Sequence, residues 1–348
     1  MTVLHAPVTT APELPEARGT VSDAVRSRLR AGPGRLPDES EIARCSAYGE
    51  DLHLSLYLCY ELHYQGFAGV PETLEWDPDL LRVRALLEHR FENALRHDCR
   101  DAPPVDEALS ELLIEPVDGT GVSRFLLARG ESWPVREYAA LRSVHQLREA
   151  DPHLWVVPRL RGRAKAAMVA VEYDEYGCGR AERMHSRLYA DLMTDLDLDP
   201  SYGRYVDAAG AETLAATNLM TLFGLHRRLR GALVGHFAVL ETTSPPAASR
   251  LAEAMRRIGA GPAAARYYDE HVEADAVHEQ LVRRDVVGGL LDDEPELAPE
   301  VAFGIAATCL VEDRLARHVT DAWSRGESAL RTPSDGRAPL PSRAWKGR

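Results

Sequence analysis

Basic charge is scarce in this 348-residue chain: 41 Lys and Arg stand against 54 Asp and Glu, a net charge of -13. Phosphate backbones and anionic bilayers are held by clustered cations, so nucleic acid and membrane are excluded as expected partners. No apolar run is long enough to span a bilayer, and the opening MTVLHAPVTTAPELPEARG lacks the charged start and apolar centre of a secretory signal. A cytoplasmic protein is expected. Cysteine is equally thin: Cys45, Cys59, Cys99, Cys178 and Cys309 are scattered, odd in number and never spaced as CxxC. That pattern excludes a disulfide framework and a thiolate zinc or iron–sulfur site. A Gly-rich phosphate loop, a GxSxG elbow and a His-rich zinc-protease helix are all missing, which removes the dehydrogenase, kinase and hydrolase readings.

Strand signals are almost absent too. Only LWVVP at 154–158 is β-branched, and Pro158 closes it. Elsewhere apolar residues recur at three- and four-residue spacing, predicting helices over about 40–66, 77–99, 105–114, 134–149, 160–176, 181–196, 211–242, 247–258, 263–290 and 298–324. An all-α fold follows. Residues 1–38 read as a flexible leader in which VSDAVRSRLR can form a short helix, and 327–348 as a flexible tail. Between them lie a helical extension, 39–118, and a core, 119–326.

What is present is a set of metal-ligand residue types on apolar helix faces. His271, Asp275 and His278 stand at offsets of four and seven, which puts the three side chains within roughly 60° of one another on a helix. Imidazole with carboxylate suits iron, manganese or zinc. Glu241 ends the predicted 211–242 helix behind Val234, Phe237 and Ala238, where a buried carboxylate requires a neutralising partner. Glu175 follows Ala167, Met168 and Val171, unless the helix turns Glu172 inward and Glu175 out. His185 shares a stripe with Leu188, Tyr189 and Leu192. An unbroken helix would hold Glu175 and His185 about 15 Å apart, but Gly177 and Gly179 between them can break it and fold the pair together. Glu149, behind His145, Leu141 and Tyr138, is a further carboxylate. Glu61 and His63 diverge by about 200° on a helix, which argues against a second site there.

The Glu-x9-His pair, the Glu 66 residues after its first member and the final His-x3-Asp-x2-His occur in an order that resembles the haem-oxygenase-like di-iron oxidases and oxygenases, over about residues 120–325. The resemblance implies a haem-oxygenase-like bundle of about seven core helices, the 39–118 helices being an added element suited to dimer formation. It implies two iron ions held by Glu175, His185, Glu241, His271, Asp275 and His278, with Glu149 as an extra carboxylate, and O₂ as co-substrate with an external electron donor. The implied substrate is a small aliphatic amino acid or related amine in specialised metabolism. Either C–H cleavage, leading to desaturation, ring closure or C–C cleavage, or N-oxygenation of a side-chain amine fits. A haem-binding protein and a non-catalytic helical protein stand as competing readings. Arg142, Arg148, Arg227 and Arg228 are candidates to grip a substrate carboxylate.

Overall fold

A computed structural model describes residues 11–32, 34–114, 121–332 and 340, with the side chains of 273–277 outside that description; no strand occurs among the described residues. Within the expected leader, the short helix allowed by VSDAVRSRLR forms, and it is docked rather than free. Helix α1 (Thr20–Ala31) buries Val21, Val25 and Leu29, a four-residue stripe, against α3 (Glu50–Glu61), with the short α2 (Glu39–Ala43) between them. The Asp51 carboxylate of α3 accepts from Val21 N and Ser22 N at the start of α1, so charge as well as packing holds it. The expected 40–66 helix is therefore two helices, parted at Gly49, whose extended backbone precedes α3. The start of the expected flexible tail is also docked: Ala329 N donates to Glu137 and Arg331 N to Ala208 O, with Leu330 buried.

Helix α4 (Pro78–Asp98) begins on an Asp77 cap with proline in its first turn and leads to α5 (Val105–Leu112). An unanticipated α6 (Val122–Arg129) precedes α7 (Ser132–Gln146) and the single turn α8 (Asp151–Leu154). LWVVP is no strand but runs into a 3₁₀ turn at Val157–Arg159. No described residue offers it a strand to pair with, and Arg159 instead binds the carbonyls of Gly224 and Leu225. Then follow α9 (Gly162–Glu175), α10 (His185–Asp195) and α11 (Ala211–Leu225).

The expected 211–242 helix breaks at His226, whose ring pairs with Glu88 while Arg228 pairs with Glu92 one turn along α4. The next helix, α12 (Arg230–Arg257), passes straight through Pro245 and Pro246, where TTSPP predicts a turn. Extensive packing against α13 (Pro262–Leu281) and α15 (Ala298–Ser324) outweighs two missing backbone donors. Glu241 is consequently mid-helix, and its expected place at a helix C-terminus is corrected. α12 and α15 touch backbone to backbone: a Cβ at Gly235 would lie 2.2 Å from Val301 O, and one at Gly304 2.1 Å from Ala232 O. A π-helical turn at Val282–Val287 continues α13 into α14 (Gly288–Asp293).

Arg148, just beyond α7, is buried and donates to Glu61 of α3 at 3.0 Å, with 1% and 0% of the two side chains exposed; Tyr202 donates to the same carboxylate. This pair ties the N-terminal helices to the segment carrying Glu149, and Arg148 is a structural cation rather than a substrate clamp. Arg148→Met should lower unfolding free energy by about 3–5 kcal/mol, because it leaves a buried carboxylate unpaired. Adding Glu61→Gln should restore most of that in a denaturant titration.

Candidate metal centre

Helix α9 ends on Glu175, and the chain reverses through 3₁₀ turns at Gly177–Gly179 and Ala181–Arg183 before α10 begins on His185. Gly177 has φ +65°, and a Cβ there would meet the Arg183 carbonyl carbon at 2.6 Å, so the reversal requires glycine. It brings His185 Nδ1 within 2.5 Å of Glu175 Oε2. That buried nitrogen nonetheless lacks a partner in hydrogen-bond geometry, so the two atoms converge without satisfying each other.

Helices α9, α10, α12 and α13 meet here with the turn that follows α7. Ligand-type atoms of Glu149, Glu175, His185 and His271 lie within 4.8 Å of one another, and those of Glu175, Glu241 and His278 form a second such group. Glu175 belongs to both. Its Oε2 faces His185, and its Oε1 lies 3.9 Å from His278 Nδ1, which is 3.4 Å from Glu241 Oε2. Asp275 lies on α13 between the two histidines, but its side chain is outside the described residues. The structure thus brings together the other six candidates, Glu149 included.

Neighbours fix the orientation of these groups. His271 Nδ1 meets the Tyr267 carbonyl one turn back at 2.8 Å, leaving Nε2 for the cluster, and His278 Nε2 meets Asp174 at 3.1 Å, leaving Nδ1. Glu149 accepts from Tyr267 OH at 3.1 Å and from Gln146 Nε2 at 3.2 Å. Burial, then the Glu149 charge, pushes Glu175 up to about 8; burial raises Glu241 to about 7. Burial opposes charge on His278, but the Glu241 carboxylate overrides it and lifts the imidazole to about 9. Carboxylates this crowded repel one another unless protons or a cation intervene, and the orphaned Glu241 Oε2 needs a partner. The donor set fits a metal.

Sequence reasoning missed Asp174, Tyr267 and Gln146, and it treated Glu172 and Glu175 as alternatives. Both are buried: Glu172 sits 3.7 Å from His153, and burial pushes its carboxyl well above the usual range. Their three-residue spacing on α9 was the available signal. Of the arginines, Arg228 pairs with Glu92 and Arg227 is exposed, so only Arg142 lines a cavity at this centre.

Residues 136–313, just over half of the chain and spanning every one of these side chains, match the family described as iron-containing redox enzyme. The chain belongs to that family. As an iron-containing redox enzyme it is an oxidoreductase, and its all-α architecture agrees with the haem-oxygenase-like bundle expected from the sequence. It is also similar to the nitrosourea synthase of Streptomyces achromogenes subsp. streptozoticus, 24% identical over 160 residues, which cover 46% of this chain and 34% of that protein. The match spans about a third of the relative's length. No described helix is long and apolar enough to cross a membrane.

Proposed function

We propose that this iron-containing redox enzyme is an O₂-dependent, non-haem di-iron oxidase or oxygenase of the cytoplasm. Its substrate in this reading is a small aliphatic amino acid or related amine, oxidised by C–H cleavage. The observation that carries it is Glu175, shared between two groups of histidine and carboxylate with one oxygen turned toward each. Glu149, His185 and His271 would hold one ion and Glu241 and His278 the other, with Glu175 common to both and Asp275 a further donor by its place between the histidines of α13. Bound iron would supply oxidation by O₂, electrons beyond those of the substrate coming from an external donor.

The chain's own groups prepare the site. Asp174 and the Tyr267 carbonyl set the two α13 histidines; Tyr267 OH and Gln146 steady Glu149; Phe237 and Leu240 give apolar lining to the small cavity that Glu149 and Glu241 share. A haem would need an apolar slot beside an axial histidine, whereas carboxylates crowd both His185 and His278. N-oxygenation of an amine is the second reading, favoured by the similarity to a protein named for a nitrosourea product.

Anaerobic Fe(II) titration tests the reading. Binding should end near two equivalents, and O₂ should then change the optical spectrum and be consumed faster with an amino acid present. An end point at one equivalent, or none, refutes it. Product mass separates carbon from nitrogen oxidation.

A further inference from the structure

Beside the candidate metal centre lies a cavity of about 350 Å³, at the small end of ligand pockets. Helix α7 supplies one wall: Tyr138, Arg142 and Gln146 recur every four residues and Glu149 follows, so one line of side chains leads from the opening to the centre. At the outer end Arg142 Nη1 donates to both oxygens of Glu312, at 3.1 and 3.2 Å, and Asp313 stands exposed next to it. These side chains are 20% and 35% exposed, so the pair is open rather than sealed. Arg142 uses one nitrogen on Glu312; Nε and Nη2 make no hydrogen bond to a described residue. It is also the only Arg or Lys among the described residues lining the cavity. Farther in, Val239, Leu240, Ala248 and Leu251 give an apolar wall, and polar groups return at Glu149, Tyr267 and His271.

A partly exposed cation with two unused donors beside two carboxylates matches the head group of a zwitterion, and the apolar stretch behind it matches an alkyl chain. We propose that Arg142 and Glu312 form the head-group clamp for an α-amino acid, a conclusion that rests on the oxidase reading above. The substrate carboxylate lies against Arg142, its ammonium against Glu312 and Asp313, and its side chain runs along α7 toward Glu149. Helix α7 rises roughly 6 Å from Arg142 to Gln146, and Glu149 follows in the turn beyond its end, so a side chain of several atoms is needed to pass from the head-group clamp to the centre. The clamp therefore selects chain length as well as head group.

Calorimetric titration of the full-length protein, metal-free and anaerobically Fe(II)-loaded, tests this with L-norleucine, pentylamine, hexanoate and L-2-aminobutyrate. Norleucine should bind at least about tenfold more tightly than pentylamine, which lacks the carboxylate, and than hexanoate, which lacks the ammonium. L-2-aminobutyrate, two methylenes shorter, should bind about tenfold more weakly than norleucine. Arg142→Met should bring norleucine down to the level of pentylamine. Glu312→Gln, nearly isosteric and partly exposed, should bring it to the level of hexanoate and carries the test should the first variant fold poorly. No binding of any probe, equal binding of norleucine and pentylamine, or discrimination unchanged in both variants would overturn the clamp. Two bound Fe(II) without discrimination defeats the clamp and leaves the di-iron reading standing; discrimination without Fe(II) binding defeats that reading alone.

Discussion

Glu175→Gln should abolish tight iron binding altogether, whereas Glu149→Gln and Glu241→Gln should each retain about one equivalent. The difference follows from position: Glu149 and Glu241 each belong to one group of ligand atoms, and Glu175 to both. Loss of an outer partner of a metal ligand alone weakens affinity about 10–100-fold. Removing an inner carboxylate shared by two ions should exceed that at each, about a hundredfold or more, and turnover should fall to background. The metal-free protein should meanwhile keep its stability near neutral pH and gain at higher pH, because the amide replaces a carboxyl that burial and Glu149 already keep protonated up to about 8. Anaerobic Fe(II) titration and thermal unfolding of the same preparations separate the two effects. A Glu175→Gln protein that still binds two ions would show that the two groups do not share this residue.

The side chains that converge here were legible because each stands on an apolar stripe at helical spacing, and the Gly177 and Gly179 break explained how Glu175 and His185 meet. What surrounds them was harder to read. Asp174, next to Glu175, resembles any half-exposed acid until α13 is packed against α9 and His278 reaches it. Tyr267 acts through its carbonyl toward His271 and its phenol toward Glu149, and no residue pattern announces a backbone contact. In the fold, helix existence followed from periodicity, but helix ends followed from tertiary partners. His226 leaves the helix for Glu88 of α4, while Pro245 and Pro246 stay inside α12 between α13 and α15. VSDAVRSRLR was legible as a short helix, but its docking was not, because Val21, Val25 and Leu29 are few in a polar segment and their partner α3 is known only from the fold.

Metal-free and iron-loaded protein should respond to pH in opposite directions. In the folded, metal-free chain Glu175 and Glu241 are raised from 4.5 to about 8 and about 7, so the native state keeps protons that the unfolded chain has already released. Stability linked to these two carboxyls is present at low pH and is lost as pH climbs from about 5 through 7 and 8. His278 acts in the same sense: raised from 6.5 to about 9, its contribution is full below 6.5 and gone above 9. Metal-free protein should therefore melt lower by on the order of 10 °C at pH 8.5 than at pH 5.5. Iron competes with the same protons, so loading should raise the melting temperature most at high pH and least at low pH, where protonated carboxyls and imidazole are poor ligands. Anaerobic thermal melts across that range, with and without Fe(II), read both slopes. A metal-free protein that gains stability toward pH 8.5 would mean that Glu175, Glu241 and His278 are not jointly holding protons in the interior.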